Sequence, residues 1–278
     1  MTQPIENRVV VVTGAASGFG RLVSQKCAAL GAKVMCADVD EVELANTVES
    51  IRAAGGHAHH RRTDVTALED MRALAAEAVD HFGAIDVMVN NAGLMPLAFH
   101  QDHATAMAAW ERCIDVNVKG VLHGIAAVHD QMIAQGRGHV VNLSSIYGNF
   151  PVAGAGVYGA TKAAVNFLSE SLRVESQGRI KVTVIRPTGV PATGLAGGIV
   201  NPEATIGIKG HNAADIDART EAWLAGQLPA AETDRDDIRY FVLDPETLSD
   251  QIVYAINQPW GVSIAEVTVR ASGEGYVL

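Results

Sequence analysis

Aromatic residues are scarce, at 5% of the 278 residues, and cysteine occurs only three times. With few rings available, Ala, Val, Leu and Ile must fill any core, and a hydrophobic fraction of 48% is ample for that. Cys27, Cys36 and Cys113 are scattered and lack metal-ligand spacing. They read as small buried hydrophobes in a reducing compartment. Positive charge is short as well: 31 acidic against 21 basic residues give a formal charge of −10. Phosphate backbones and anionic membrane surfaces need a basic face, so nucleic acid and membranes are not expected partners. No stretch approaches the roughly 18 apolar residues of a spanning helix. The opening residues, Met1 to Asn7, have neither the basic start nor the apolar core of a signal peptide. A soluble, cytoplasmic protein is expected.

Short apolar runs alternating with helical patterns fill the chain instead. Strands are predicted at Arg8–Thr13, Ala32–Asp38, His57–Thr63, Ile85–Asn90, His139–Leu143, Lys181–Arg186 and Ser263–Val269. Runs such as Val9 to Val12 and Val87 to Val89 suit strands buried on both faces, as a parallel sheet demands. Helices are predicted at Gly18–Leu30, Val42–Ala54, Ala67–Phe82, Met107–Ala134, Val157–Ser176 and Pro245–Asn257. Thr66 to Glu69 reads as a capping box, and Gly31 and Gly55 as helix stops. The alternation gives one doubly wound α/β domain over residues 1–278 with right-handed crossovers. The irregular stretch from about 191 to 244 contains a predicted helix at Ile216–Gln227. Its length suits a substrate lid, with a poorly ordered insertion as the alternative.

Tyr158 and Lys162 are spaced i, i+4, which places both side chains on one helix face. A phenol has a pKa of about 10, too high for a base at neutral pH. A neighbouring ammonium favours the phenolate, so the pair can exchange a proton. By itself the pair also suits an ordinary amphipathic helix.

Thr13 to Gly20 follows the first strand and opens the first helix, with Gly14, Gly18 and Gly20 as its glycines. In that setting a glycine-rich turn and a helix N-terminus cradle a pyrophosphate. Asp38 ends the second strand eighteen positions after Gly20, close to the ~20 expected of a carboxylate that binds adenosine ribose hydroxyls. Its charge would repel a 2′-phosphate, which points to NAD over NADP. Asp40 competes for that role but suits a helix N-cap better.

Together these motifs resemble those of the classical short-chain dehydrogenase/reductase (SDR) family across nearly the whole chain. The spacing Thr13 to Gly20 matches, as do Asp64-Val65 after the third strand and Asn90-Asn91-Ala92-Gly93 after the fourth. Asn117 matches the family's helical active-site Asn, and Ser145, thirteen residues before Tyr158, its catalytic Ser. The resemblance implies a single-domain Rossmann fold with a central parallel seven-stranded sheet flanked by helices. It also implies a homotetramer built on the helices Met107–Ala134 and Val157–Ser176. After the sixth strand the chain departs from the family's Pro-Gly, reading Arg186-Pro187-Thr188-Gly189-Val190. Val190 takes the carboxamide-contacting place, and Thr193 competes with Ala192 for a phosphate contact.

The implied chemistry is hydride transfer between NAD and a secondary alcohol or ketone, with no metal. Tyr158 would be the general acid/base, Lys162 would hold the nicotinamide ribose and lower the Tyr158 pKa, and Ser145 would bind the substrate oxygen. Asn117 would bend its helix and hold a water linking Lys162 to solvent. Ser144 adjoins Ser145, but strand neighbours face opposite ways, and the family spacing selects Ser145. The implied cofactor contacts are Gly14, Ser17, Gly18, Phe19, Gly20, Asp38, Asp64, Val65, Asn91, Ala92, Gly93, Tyr158, Lys162, Pro187, Gly189, Val190 and Thr193. Substrate contacts fall on Met95, Ser145, Tyr147, Phe150 and Tyr158, with Leu94, Ile146 and Val152 as further walls. These are mostly apolar and include no Arg clamp. An uncharged, moderately hydrophobic alcohol is therefore expected, cyclic or aromatic, unless Lys209, His211 or Arg219 of the lid face inward. The alternatives are an NADP-dependent carbonyl reductase, a hydroxy-acid dehydrogenase, and a non-catalytic dinucleotide sensor. His57, His59, His60, Arg61 and Arg62 read as solvated side chains, His100 and His103 as surface loop residues, and Trp110 and Trp223 as core or interface.

Overall fold

Four consecutive valines start the sheet. Val9–Thr13 (β1) is buried along its whole length, with β2 (Lys33–Asp38) on one side and β4 (Val87–Asn90) on the other. Val11 lies level with Met35 and with Met88. A computed structural model describes residues 4–191 and 194–277 of this chain. In it α1 (Gly18–Ala29), α2 (Glu41–Ala53) and α3 (Leu68–Phe82) follow β1, β2 and β3 (His57–Arg62). After β4 come α4 (His103–Ile114), α5 (Gly120–Ala134), β5 (Gly138–Leu143), α6 (Gly156–Glu175) and β6 (Ile180–Pro187). The short helices α7 (Ile206–Lys209), α8 (Ala213–Leu224) and α9 (Ala230–Thr233) then precede α10 (Pro245–Ile256) and β7 (Glu266–Val269).

All seven strands pair in parallel, in the order β3-β2-β1-β4-β5-β6-β7. Every expected strand is present, within one residue at most ends, but β4 begins two and β7 three residues later than expected, because backbone pairing rather than hydropathy sets the limit. β3 carries the polar His57 to Arg62 because it lies at the sheet edge and needs little burial on its faces. Val10 and Val12 pack under α1, α2 and α10 with Leu44, Val48 and Ile252. Val11, Met35 and Met88 pack on the opposite face with Leu74, Met132 and Leu172. Cys27 and Cys36 lie in the first of these layers, where burial pushes both thiols up to about 12. Gly31 and Gly55 do end their helices, at φ +86° and +84°.

Three expectations fail locally. The helix predicted at Met107–Ala134 is divided by a π-helical segment at Asp115–Lys119. The capping box at Thr66 does not form, because the Thr66 hydroxyl and N–H both donate to Asp64 Oδ1, at 2.8 and 2.9 Å. Ala67 takes the N-cap position of α3, and Glu69 pairs with Arg72 at 2.7 Å. The helix predicted at Ile216–Gln227 lies at Ala213–Leu224, beyond which Gly226 turns at φ +68°. Among the described residues, no helix is long and apolar enough to cross a membrane.

Candidate active site

The strand ends that follow the valine run build one side of a cleft of about 360 Å³. Thr13 locks two turns together: its Oγ1 accepts from the N–H groups of Asn91 and Ala92 at 3.1 and 3.2 Å. Asn91 Nδ2 in turn donates to the carbonyls of Thr13 and Gly14, at 2.9 and 3.2 Å. A Cβ on Gly14 would lie 2.8 Å from that amide nitrogen, and one on Gly20 only 2.0 Å from the Gly14 carbonyl oxygen. Glycine is thus required at both places for the turn to close, and Gly14 also turns at φ +68°. Ser17 is the N-cap of α1 but makes no side-chain cap, so backbone N–H groups of the first helical turn are left for an anion.

At the end of β2, Asp38 accepts from the N–H of Ala16 at 3.0 Å and from that of Asp40 at 3.1 Å. Asp40 caps α2 through the N–H of Glu43 at 3.1 Å, which leaves Asp38 as the carboxylate in the cleft wall. Further along stand Asp64, Val65, Asn91, Ala92 and Gly93, and beyond them Tyr158, Lys162 and Pro187. Burial pushes the Asp64 carboxyl up, but hydrogen bonds from Thr66 and the charges of Arg112 and Arg62 outweigh it and hold it below its usual range. A carboxylate, a glycine cradle and a cation beside a phenol along one cleft suit a nicotinamide dinucleotide, and the residues present fit it.

At the inner end the phenol and the ammonium share the α6 face, with Lys162 Nζ 5.7 Å from the Tyr158 ring centre. Burial pushes the phenol well above its ordinary range, and a hydrogen bond with Ser145 opposes the shift. Burial pushes Lys162 down to about 8, and its Nζ donates to the Leu143 carbonyl at 2.7 Å. The expected lowering of the phenol by Lys162 does not hold here: Tyr158 is 3% exposed, and desolvation raises it, opposed by the Ser145 hydrogen bond. Tyr147 meets Tyr158 edge-on at 5.5 Å.

Asn117 lies in the π segment, in keeping with the expected bend. Its Nδ2 donates to the Leu94 carbonyl at 2.9 Å and to Thr161 Oγ1 at 3.0 Å, while its Oδ1 accepts from the Leu94 N–H at 2.8 Å. The side chain thus pins the turn after β4.

The structure does not bring every expected residue to the cleft. Gly20 packs behind the turn, and Gly189 lies under the Tyr276 ring. Val190 packs beside two buried clusters, and Thr193 lies outside the described residues. Phe150 is 58% exposed, whereas Met95 and Val152 pack with Ile146, Tyr147 and Tyr158. In the lid stretch, Lys209 pairs with Asp217, and Arg219 pairs with Glu232 at 2.7 Å. His59 and Arg61 both pair with Glu77, at 2.9 and 2.6 Å. Trp110 is a core residue bonded to the Pro96 carbonyl at 3.2 Å. Sequence reasoning missed Arg112, Leu195 and Gly198 in the cleft wall, and the Thr13 and Thr161 hydroxyls that hold its turns. Arg112 stands five residues before Asn117 on the same helical stretch, the one signal that could have found it.

The short chain dehydrogenase profile matches residues 8–203. An uncharacterized oxidoreductase of Listeria monocytogenes is 34% identical over 97% of this chain and 98% of its own. A short-chain dehydrogenase/reductase from Burkholderia phymatum, solved with NAD, is 31% identical over 95% of this chain and 89% of its own, with a TM-score of 0.74. A metagenomic short-chain oxidoreductase solved with NADP is 27% identical over 96% of this chain and 98% of its own, with a TM-score of 0.72. A parallel seven-stranded sheet carrying a glycine turn, an Asn-Asn-Ala-Gly turn and a buried Tyr–Lys pair at one cleft agrees with these likenesses, and the chain belongs to the short-chain dehydrogenase/reductase family.

Proposed function

We propose that this protein is an NAD-dependent oxidoreductase that interconverts an uncharged secondary alcohol and its ketone, with Tyr158 as general acid/base. The observation that carries the reading is a cleft lined by Tyr158 and Lys162 together with the glycine turn and Asp38, with Ser145 hydrogen-bonded to Tyr158 behind that lining. Bound NAD supplies the hydride acceptor in oxidation and, when reduced, the hydride donor.

The protein's own residues bind, orient and move the proton. Asp38 accepts from the adenosine ribose hydroxyls, and the N-terminus of α1 faces the pyrophosphate. In reduction the raised pKa of Tyr158 keeps its proton until the carbonyl oxygen takes it. In oxidation the phenolate is favoured by Lys162, a cation below about pH 8, and by the Ser145 hydrogen bond. Ser145 also fixes the substrate oxygen against Tyr158, and Asn117 holds the turn that carries Gly93. Leu94, Met95 and Ile146 supply apolar walls, while Lys209 and Arg219 of the lid are already paired with Asp217 and Glu232. That pairing supports an uncharged substrate over a hydroxy acid. The stretch 191–244 serves as the lid of a single catalytic domain. Exposed Ile114, Leu122, Phe167 and Val174 on α4 to α6 give a homotetramer an apolar face. A cytoplasmic location fits the buried free thiols.

Initial rates with NAD and NADP on cyclic, aryl and hydroxy-acid alcohols test the reading. NAD-dependent oxidation of the uncharged alcohols is expected. Activity confined to charged hydroxy acids, or a strong preference for NADP, would refute it. An NADP enzyme is the second reading, favoured by the NADP-bound relative and opposed by Asp38.

A further inference from the structure

The starting ends of β5 and β6 border a second concavity, one strand length from the catalytic cleft. It measures about 590 Å³ and is lined by Gly138 and Ile180, where those strands begin. Leu143 and Pro187, at their other ends, line the cleft. Six residues of extended strand, Gly138 to Leu143, put roughly 20 Å between the two. The groove is therefore separate from the cofactor cleft.

Its walls carry Arg137, Arg173, Arg179 and Lys181, four of the 21 basic residues and none of the 31 acidic ones. Such segregation stands out in a chain whose formal charge is −10. Trp260 is in the wall too, and three cations gather on its ring. Arg8 lies 4.2 Å from the ring centre, Arg137 5.2 Å and Lys181 5.5 Å.

Few counter-charges answer them. Arg137 Nε pairs with Asp86 at 3.2 Å, and Arg173 pairs with Glu170. Lys181 Nζ donates instead to the carbonyls of Val262 and Pro259, at 2.9 and 3.2 Å, and Arg179 to that of Glu175 at 3.0 Å. Among the described residues neither Lys181 nor Arg179 has a carboxylate partner, and the Asp86 that Arg8 feels is already engaged by Arg137. Arg173 Nε is buried without a hydrogen-bond partner. Burial and the charge of Arg8 push Lys181 down to about 8. Donors and cations held this way are unfavourable until an acceptor reaches them.

We propose that this groove binds a small oxyanion of two or more charges, a polyphosphate or polycarboxylate, held by Arg179 and Lys181 with Arg137 and Arg173 beside them. The two unpaired wall cations, with Arg8 on the Trp260 ring, set the charge of the ligand, and a monoanion would answer only one of them. Guanidinium forks match phosphate and carboxylate oxygens alike. A long polyanion is disfavoured, because the rest of the chain is acidic and would repel it. Occupation of the groove goes beyond the oxidoreductase reading and does not depend on the chemistry at Tyr158.

Titration calorimetry on the NAD-loaded protein, with pyrophosphate and citrate in separate arms, is the test. Saturable one-to-one binding of at least one anion is expected, and the tighter arm separates phosphate from carboxylate recognition. Arg179→Gln and Lys181→Gln should each weaken that binding by about tenfold or more, as loss of one charge-assisted hydrogen bond does. The Kd for NAD, read by fluorescence quenching, should be unchanged in both. Arg179 is exposed and its guanidinium bonds a single backbone carbonyl, so its variant is expected to fold and decides alone should Lys181→Gln not. Absence of saturable binding by either anion at millimolar concentration overturns the site. So does an affinity that Arg179→Gln leaves intact, binding that excess NAD abolishes, or an equal heat from sodium chloride at matched ionic strength.

Discussion

Ser144 and Ser145, neighbours at the end of β5, are turned to opposite tasks. Ser144 Oγ donates to the Lys162 carbonyl at 3.1 Å and anchors α6, whereas Ser145 bonds Tyr158 and accepts from the Tyr147 N–H at 3.3 Å. The two alanine variants should therefore separate. Ser145→Ala should lower kcat by about 10²–10³ with little loss of stability. Ser144→Ala should keep kcat and lower stability by about 1 kcal/mol, the net worth of one buried hydrogen bond. Steady-state kinetics and urea melts on the pair check this, and similar kcat losses in both would contradict it.

Tyr158→Phe should keep NAD affinity and lose turnover by several powers of ten, on the order of 10³ or more. The ring still packs against Tyr147, so folding is expected to be intact. Equilibrium NAD binding measured beside single-turnover rates checks both halves, and a variant with wild-type rates would remove Tyr158 from the chemistry.

Asp38 has two jobs, and two substitutions divide them. It accepts the N–H of Ala16 at 3.0 Å, which shapes the glycine turn, and it is proposed to accept the ribose hydroxyls. Asp38→Asn keeps an acceptor but removes the charge. It should weaken NAD by about tenfold and reduce discrimination against NADP, while Asp38→Ala weakens both cofactors by disturbing the turn. The Kd values for the two cofactors decide, and unchanged selectivity in Asp38→Asn would refute the charge argument.

Much of this was legible because the fold writes itself into short-range patterns. Buried strands appear as valine runs, and Tyr158, Lys162 and Ser145 stand at fixed spacings on one helix and one strand end. What stayed hidden depends on contacts between distant residues. The π segment at Asp115–Lys119 leaves the apolar pattern continuous, because it arises from Asn117 reaching Leu94. The Thr66 hydroxyl looked like a cap until Asp64 claimed it. Phe150 reads as a wall in sequence and faces solvent in space. The elevated Tyr158 pKa is a burial effect, invisible to an argument from its neighbour Lys162 alone. Arg137, Arg179 and Trp260, far apart in sequence, share a groove only in the fold.

Gly124 illustrates a sign that only the packing determines. In an open helix, Gly→Ala stabilises by up to about 1 kcal/mol. Here a Cβ would fall 1.9 Å from Asn90 Oδ1, and Asn90 is buried and bonded to Asn142 at 2.8 Å. Gly124→Ala should therefore destabilise by about 1–3 kcal/mol, as overpacking does. Chemical denaturation measures it, and a stabilised variant would show that α5 shifts freely against β4.

Lys162 should leave a mark on stability as well as on rate. Burial places its ammonium at about 8, against 10.5 ordinarily. Between those values the unfolded chain keeps a proton that the folded chain has released, so unfolding takes up protons and stability rises with pH across that window. The cost of burying the charge, at most about 3 kcal/mol, is fully felt below pH 8 and relieved as pH rises to 10.5. Lys181, also pushed down to about 8 by burial, contributes a slope of the same sign. Lys162→Met should therefore flatten the rise in Tm between pH 8 and 10.5 without abolishing it. Thermal melts across that range in the wild type and the variant measure both slopes, and identical slopes would mean that Lys162 is not titrating in a buried site.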